Sequence, residues 1–263
     1  MREMPSVAVV VGAARGLGLG LAAALAARKG TEHVAVSCRN PANADELNAL
    51  AERTGGRMSV HRVAASDEQS VADMAAYLRG RFGRVDTVIH AAGVLHTPDR
   101  TIYPETTITK LDADALAQSF LVNAAFPAYS AKHFFPLLRA AAGQQDLSSP
   151  PPRFAALSAR IGSIGDNRLG GWYSYRASKA ALNQLVRTLA VEGARNKPKP
   201  ILSIGIHPGT CVTDLTAPFR KNVDPSTVRT AERGARDVLS VIDGAHVDVS
   251  GRCLAYDGSL IPP

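Results

Sequence analysis

The chain has 263 residues, 46% hydrophobic and 20% charged, a formal net charge of +7 and three cysteines. These numbers suit one α/β core and exclude a disordered or fibrous chain, while three cysteines without a CxxC spacing exclude a disulfide framework or zinc site and fit a reducing cytoplasm. The basic residues are dispersed, which excludes a nucleic-acid patch, and no apolar run has the length of a membrane span or signal-peptide core.

In chain order, VAVVV (7–11) is a β-branched run of the kind expected in a strand buried on both faces. A glycine-rich turn follows, then a helix closing at Gly30. Next come a strand over 33–39, a helix over 43–56, a strand over 58–65, a helix over 67–83 and a strand over 85–93. A polar segment, 94–110, breaks the rhythm before a helix over 112–142. GQQDLSSPPPR (143–153) contains three consecutive prolines and is expected to be an exposed connection. Strands over 153–159 and 201–209 flank a helix over 171–195. A helix over 230–242 leads to a last strand over 251–258, and the C-terminal DGSLIPP is expected to cover a sheet edge or meet another subunit. The alternation predicts a Rossmann-type doubly wound parallel sheet of about seven strands with helices on both faces, in one domain spanning 1–263. Ligands of such a sheet sit beyond the carboxyl ends of its strands.

Two of those ends carry chemistry. In VGAARGLGLG, Gly12, Gly16 and Gly18 let the backbone turn sharply and approach a ligand, with Arg15 and Leu17 between them. The helix that follows offers free N–H groups and partial positive charge to a pyrophosphate. In GGWYSYRASKAALNQL, Tyr175 and Lys179 are four residues apart and share a helix face with an apolar stripe of Ala177, Ala180, Ala181, Leu182 and Leu185. A neighbouring cation is expected to draw the phenol, ordinarily near pKa 10, toward working pH.

With HAAG (90–93), VNAAFP (122–127) and HPGTCVT (207–213), these segments resemble, in order, the motifs of the short-chain dehydrogenases/reductases. The agreement runs over 7–258, and LSARIGSIGDN followed by GGWYSYRASKAALN resembles that family's C-factor, or cell-cell signalling, branch. The resemblance implies hydride transfer between a nicotinamide and a carbonyl or alcohol, with Tyr175 giving or taking the proton. It implies that Lys179 holds the nicotinamide ribose and that Asn123 relays protons through water. Ala92, Gly93, Pro208, Gly209 and Thr213 are expected beside the cofactor, and no metal is expected. The second strand ends Ser37-Cys38-Arg39, without the acid that favours NAD(H). Arg39, with Arg15 nearby, suits a 2′-phosphate and predicts NADP(H). The family's adenine-contacting Asp at the end of the third strand is replaced by Ala64-Ala65. Its substrate-binding serine falls on Ala159, which leaves Ser163 as first substitute and Ser158 as second. A small carbonyl or alcohol substrate and a homodimer or homotetramer are implied. The alternative is a nucleotide-sensing signalling protein of the C-factor type with little or no turnover.

Overall fold

The computed structural model describes residues 6–144, 146 and 149–263; residues 145, 147 and 148 of the 143–153 connection, and 1–5, lie outside the described residues. Strand β1 (Ser6–Val11) alternates its side chains between two cores. Val7, Val9 and Val11 join Met74, Val88, Phe134 and Leu182 on one side, while Ala8 and Val10 join Leu21, Val36, Ile204 and Leu239 on the other. Double burial explains why the run is apolar at every position.

Around β1 lie β2 (Thr31–Cys38), β3 (Met58–Arg62), β4 (Thr87–His90), β5 (Arg153–Leu157), β6 (Leu202–His207), β7 (Cys253–Ala255) and β8 (Leu260–Ile261). Their order is β3-β2-β1-β4-β5-β6-β7-β8, parallel throughout except for the β7–β8 pair. The sheet therefore has eight strands rather than about seven. The expected last strand, 251–258, is a short hairpin: Asp257 accepts from the backbone N–H of Ser259 at 3.0 Å, Gly258 has φ +83°, and the chain returns as a two-residue edge strand. Two residues are too few to show a period. The C-terminal segment does cover the sheet edge.

Helices α1 (Gly16–Ala26), α2 (Asp45–Arg53) and α7 (Ala231–Gly244) pack on the side of Ala8 and Val10. Helices α3 (Glu68–Phe82), α5 (Phe126–Gln144) and α6 (Tyr173–Gly193) pack on the side of Val7, Val9 and Val11. α1 stops at Ala26, short of Gly30, whose carbonyl instead accepts from Ser6. The helix expected over 112–142 is interrupted: α4 (Ala113–Phe120) passes through a π turn, Leu121–Ala125, before α5 begins. β1 pairs with both β2 and β4, so the chain reverses its winding at that point. The crevice beyond β1 and β4 is where such a sheet takes its ligand. Among the described residues no helix is long and apolar enough to cross a membrane.

Candidate active site

The turn after β1 is built to bring backbone close. Gly12 has φ +86°, and a Cβ there would lie 2.7 Å from the backbone nitrogen of Ala92, at the end of β4. A Cβ on Gly18 would lie 2.0 Å from the Gly12 carbonyl oxygen. Gly16, with φ +57°, opens α1 against Thr213, whose methyl would be 3.1 Å from an added Cβ. Gly12 and Ala13 both donate to the Ser37 carbonyl, at 3.1 and 2.8 Å, which fixes the turn to the end of β2. Arg15 precedes α1 without a side-chain cap, leaving the helix N-terminus to an external anion. The exposed Arg39 follows β2 directly. Arg15 points elsewhere: it pairs with Asp214 at 2.9 Å, and both side chains are largely exposed. These glycine contacts and the uncapped helix fit a dinucleotide, which would lie on Gly12, Gly16, Leu17 and Gly18 with Arg39 at the end of β2.

Asn123, Gly93 and Lys179 converge beyond β4. A Cβ on Gly93 would lie 3.4 Å from Asn123 Oδ1 and 3.5 Å from Lys179 Nζ. Asn123 is fully buried in the π turn. Its Nδ2 donates to the Val94 carbonyl at 2.8 Å and to Ser178 Oγ at 3.1 Å, and its Oδ1 accepts from the Val94 N–H at 2.8 Å. Lys179, 3% exposed, donates from Nζ to the Leu157 carbonyl at 2.8 Å and lies 5.8 Å from the centre of the Tyr175 ring. Desolvation pulls Lys179 down to about 8. The expected lowering of the Tyr175 phenol is not seen: burial pushes it above the usual phenol range. The ammonium is directed at Leu157, so desolvation outweighs attraction. The stripe beside the pair is also less buried than expected, since Leu182 is buried but Ala177 is exposed.

Neither candidate serine has a free hydroxyl. Ser158 Oγ donates to Asn183 Oδ1 at 2.6 Å. Ser163 Oγ accepts from the Asp166 N–H at 3.0 Å and donates to the Pro263 carbonyl at 3.4 Å. Ala159 is buried at the start of the same loop. Pro208 and Gly209 follow β6, and Gly209 has φ +72° with its open side against the Tyr256 ring.

Two features went unread in the sequence. Glu105, 5% exposed, lies at the start of α6: its carboxylate accepts from the Ser174 N–H at 3.2 and 3.3 Å and from Ser174 Oγ, and its carbonyl accepts from the Trp172 N–H at 2.6 Å. It stands 69 residues from Ser174, so no local capping pattern announces it. His90 ends β4, buried edge-on against Phe126 with ring centres 4.7 Å apart, and its Nε2 has no hydrogen-bond partner among the described residues. Burial and the nearby Lys179 hold its pKa down at about 3. The signal for it was the His that opens HAAG.

A mostly parallel sheet with a glycine-turned first crossover, and a Tyr/Lys helix face beyond β4 and β5, define an NAD(P)-dependent oxidoreductase. Residues 12–235 match a family model described as enoyl-(acyl carrier protein) reductase, and the chain belongs to the short-chain dehydrogenase/reductase family. It is 32% identical over 180 residues to the C-signal protein of Myxococcus xanthus, covering 68% of this chain and 93% of that one. It is 29% identical over 199 residues to a 1-hydroxy-2-glutathionyl-2-methyl-3-butene dehydrogenase of Rhodococcus, covering 76% of this chain and 77% of that protein. Its structure is similar to the carbonyl reductase Sniffer of D. melanogaster, with TM-score 0.85, 26% identity and coverage of 99% and 100% of the two chains. It is similar too to the NADPH-bound carbonyl reductase from chicken fatty liver, with TM-score 0.87, 26% identity and coverage of 100% and 96%.

Proposed function

We propose that the chain is a single-domain, NADP(H)-dependent carbonyl reductase or alcohol dehydrogenase in which Tyr175 transfers the proton. The observation that carries this reading is the convergence of Tyr175, buried Lys179, Gly93 and Asn123 beyond β4. When bound, the nicotinamide supplies or accepts the hydride. Gly12, Gly16, Leu17 and Gly18 cradle the pyrophosphate, and Arg39 faces the 2′-phosphate without a competing carboxylate. Ala92, Gly93, Pro208, Gly209 and Thr213 form the walls that keep the reacting end in place. Arg15 assists Arg39 only by leaving Asp214. Lys179, charged below about pH 8, holds the ribose and stabilises the phenolate left after proton transfer. The Asn123 side chain is committed to Val94 and Ser178, so a water relay at this residue uses its main-chain carbonyl. Ser163 holds the carbonyl oxygen by giving up its long bond to Pro263, with Ser158 second. A groove of about 300 Å³ between α5 and α6, lined by Ala131, Phe135, Leu185 and Leu189 among others, supports a homodimer or homotetramer.

The likeness to C-signal favours the second reading, a nucleotide sensor with little or no turnover. Following NADPH absorbance with a panel of ketones and aldehydes separates the two. Turnover that falls by about 10²–10⁴ in Tyr175→Phe, with NADPH still binding, is expected of the reductase. Tight NADPH binding without turnover supports the sensor, and equal affinity for NADH refutes the role of Arg39.

A further inference from the structure

Four aromatic side chains that belong to neither core form a cluster that reaches Tyr175 through Trp172. His96 and Tyr103 come from the segment after β4, Trp172 from the entry to α6, and Phe219 from the turn Ala217–Asn222 that follows β6. The Phe219 ring centre lies 4.9 Å from that of Trp172, 5.8 Å from Tyr103 and 5.8 Å from His96. Trp172 in turn meets the Tyr175 ring edge-on at 6.3 Å. All four rings are half-buried, so the group opens to solvent. The Arg100 guanidinium lies 3.9 Å over the Tyr103 ring and fixes that wall. Trp172 holds its place with φ +53°, a conformation that residues with a Cβ rarely adopt. Three π faces thus surround one flat ring, next to the phenol.

The ring now in that seat sits on a lightly held segment. Within the turn, Thr216 Oγ1 donates to the Cys211 and Thr213 carbonyls; to the rest of the molecule the segment is tied by the exposed Arg15–Asp214 pair and by a 3.1 Å contact from His96 Nε2 to the Asp214 carbonyl. An exposed ion pair of this kind contributes little. Tilted and edge-on contacts with several rings favour an aromatic occupant over an aliphatic one of equal size. We infer that the seat receives an aromatic ring carried by the carbonyl substrate, which displaces Phe219; this rests on the reductase reading above.

The full chain with NADPH is offered acetophenone and cyclohexyl methyl ketone, which match in size and differ in aromaticity. The seat requires a KM about tenfold lower for acetophenone, the scale of two or three aromatic contacts. Tyr103→Leu brings the two KM values together. Phe219→Ala, which vacates the seat, lowers the KM for acetophenone about threefold. If Tyr103→Leu does not fold, Phe219→Ala carries the test alone. Equal KM values in the unmodified protein, or weaker acetophenone binding in Phe219→Ala, overturn the seat. Trp172 is the only tryptophan in the sequence. Its fluorescence, quenched saturably by acetophenone and corrected against N-acetyltryptophanamide, reports occupancy without chemistry. Saturable quenching with no turnover of any ketone upholds the seat and overturns the reductase reading. Turnover without aromatic preference does the reverse, and absence of both quenching and turnover overturns both.

Discussion

Lys179 must hold a charge in a place that disfavours charge. It is 3% exposed, its partner is a carbonyl rather than a carboxylate, and desolvation brings its pKa to about 8. Carbonyl reduction by the proposed route needs the phenol protonated and the lysine charged. Burial favours the first condition, because it pushes Tyr175 upward. The second fails as pH rises through the lysine's pKa. The expected kcat/KM with NADPH is therefore level near neutrality and falls about tenfold per pH unit above roughly pH 8. Lys179→Arg, whose guanidinium does not titrate, should work more slowly but lose this alkaline limb. A limb that survives in Lys179→Arg assigns the titration to another group. The serines divide on a similar argument. Ser158 is tied to Asn183 at 2.6 Å, while Ser163 makes a 3.4 Å bond to Pro263. Ser163→Ala should thus lower kcat more than Ser158→Ala, and the reverse order, read in steady-state kinetics, would hand the role to Ser158.

Helix α6 delivers both Tyr175 and Lys179, so the way its first turn is fixed decides where they sit. Gly170, Gly171 and Trp172 all have positive φ on the approach, and Glu105 then pairs the buried N–H and hydroxyl of Ser174. A carboxylate at a helix N-terminus satisfies orphan donors and complements the dipole. Glu105→Ala leaves those donors buried and unpaired, a cost of roughly 2–3 kcal/mol. For a chain of this size that is a Tm lower by about 5–10 °C, with kcat falling as Tyr175 loses its register. Glu105→Gln keeps the shape and one acceptor and should recover most of the Tm. Calorimetry and steady-state kinetics on the pair check this, and an unchanged Tm in Glu105→Ala removes the cap from the account. The contrast between Glu105 and Gly12 explains what was legible. Gly12, Gly16, Gly18, Tyr175 and Lys179 act within one strand–turn–helix or one helical turn, so sequence spacing reports them. The double burial of β1 was legible in its unbroken apolar run. Glu105, Phe219 and the Arg15–Asp214 pair work across long separations, and no local period encodes them. The π turn at Leu121–Ala125 shifts the helix register by one residue, too little to disturb an apolar pattern. β8 was hidden by its length.

The sheet as a whole carries a titration independent of catalysis. His33 on β2 and His90 on β4 set their rings against Phe82 of α3 and Phe126 of α5, His207 is half-buried at the end of β6, and desolvation lowers the three to about 4, about 3 and about 4. Arg81 and His61 add to the effect at His33, Lys179 at His90, and Arg160 and Arg229 at His207. Free histidine titrates near 6.5, so between about pH 4 and 6.5 the unfolded chain binds protons that the folded chain refuses. Stability rises with pH wherever the unfolded state binds more protons. The contribution of these three residues is therefore complete above pH 6.5 and is lost as pH falls toward 4. Each removes up to about 1.4 kcal/mol per pH unit in that window. The three lie on three strands of one hydrogen-bonded sheet, so protonating any of them opposes the same cooperative structure. Thermal denaturation should show Tm nearly constant from pH 8 to 7 and lower by roughly 10 °C at pH 5. His90→Asn, which keeps a polar side chain without a titrating ring, should remove about a third of that fall. If His90→Asn follows the parent curve from pH 7 to 5, the buried ring beneath the active site is not among the groups that set acid stability, and the loss must be sought in His33, His207 and His61, which burial on β3 also lowers.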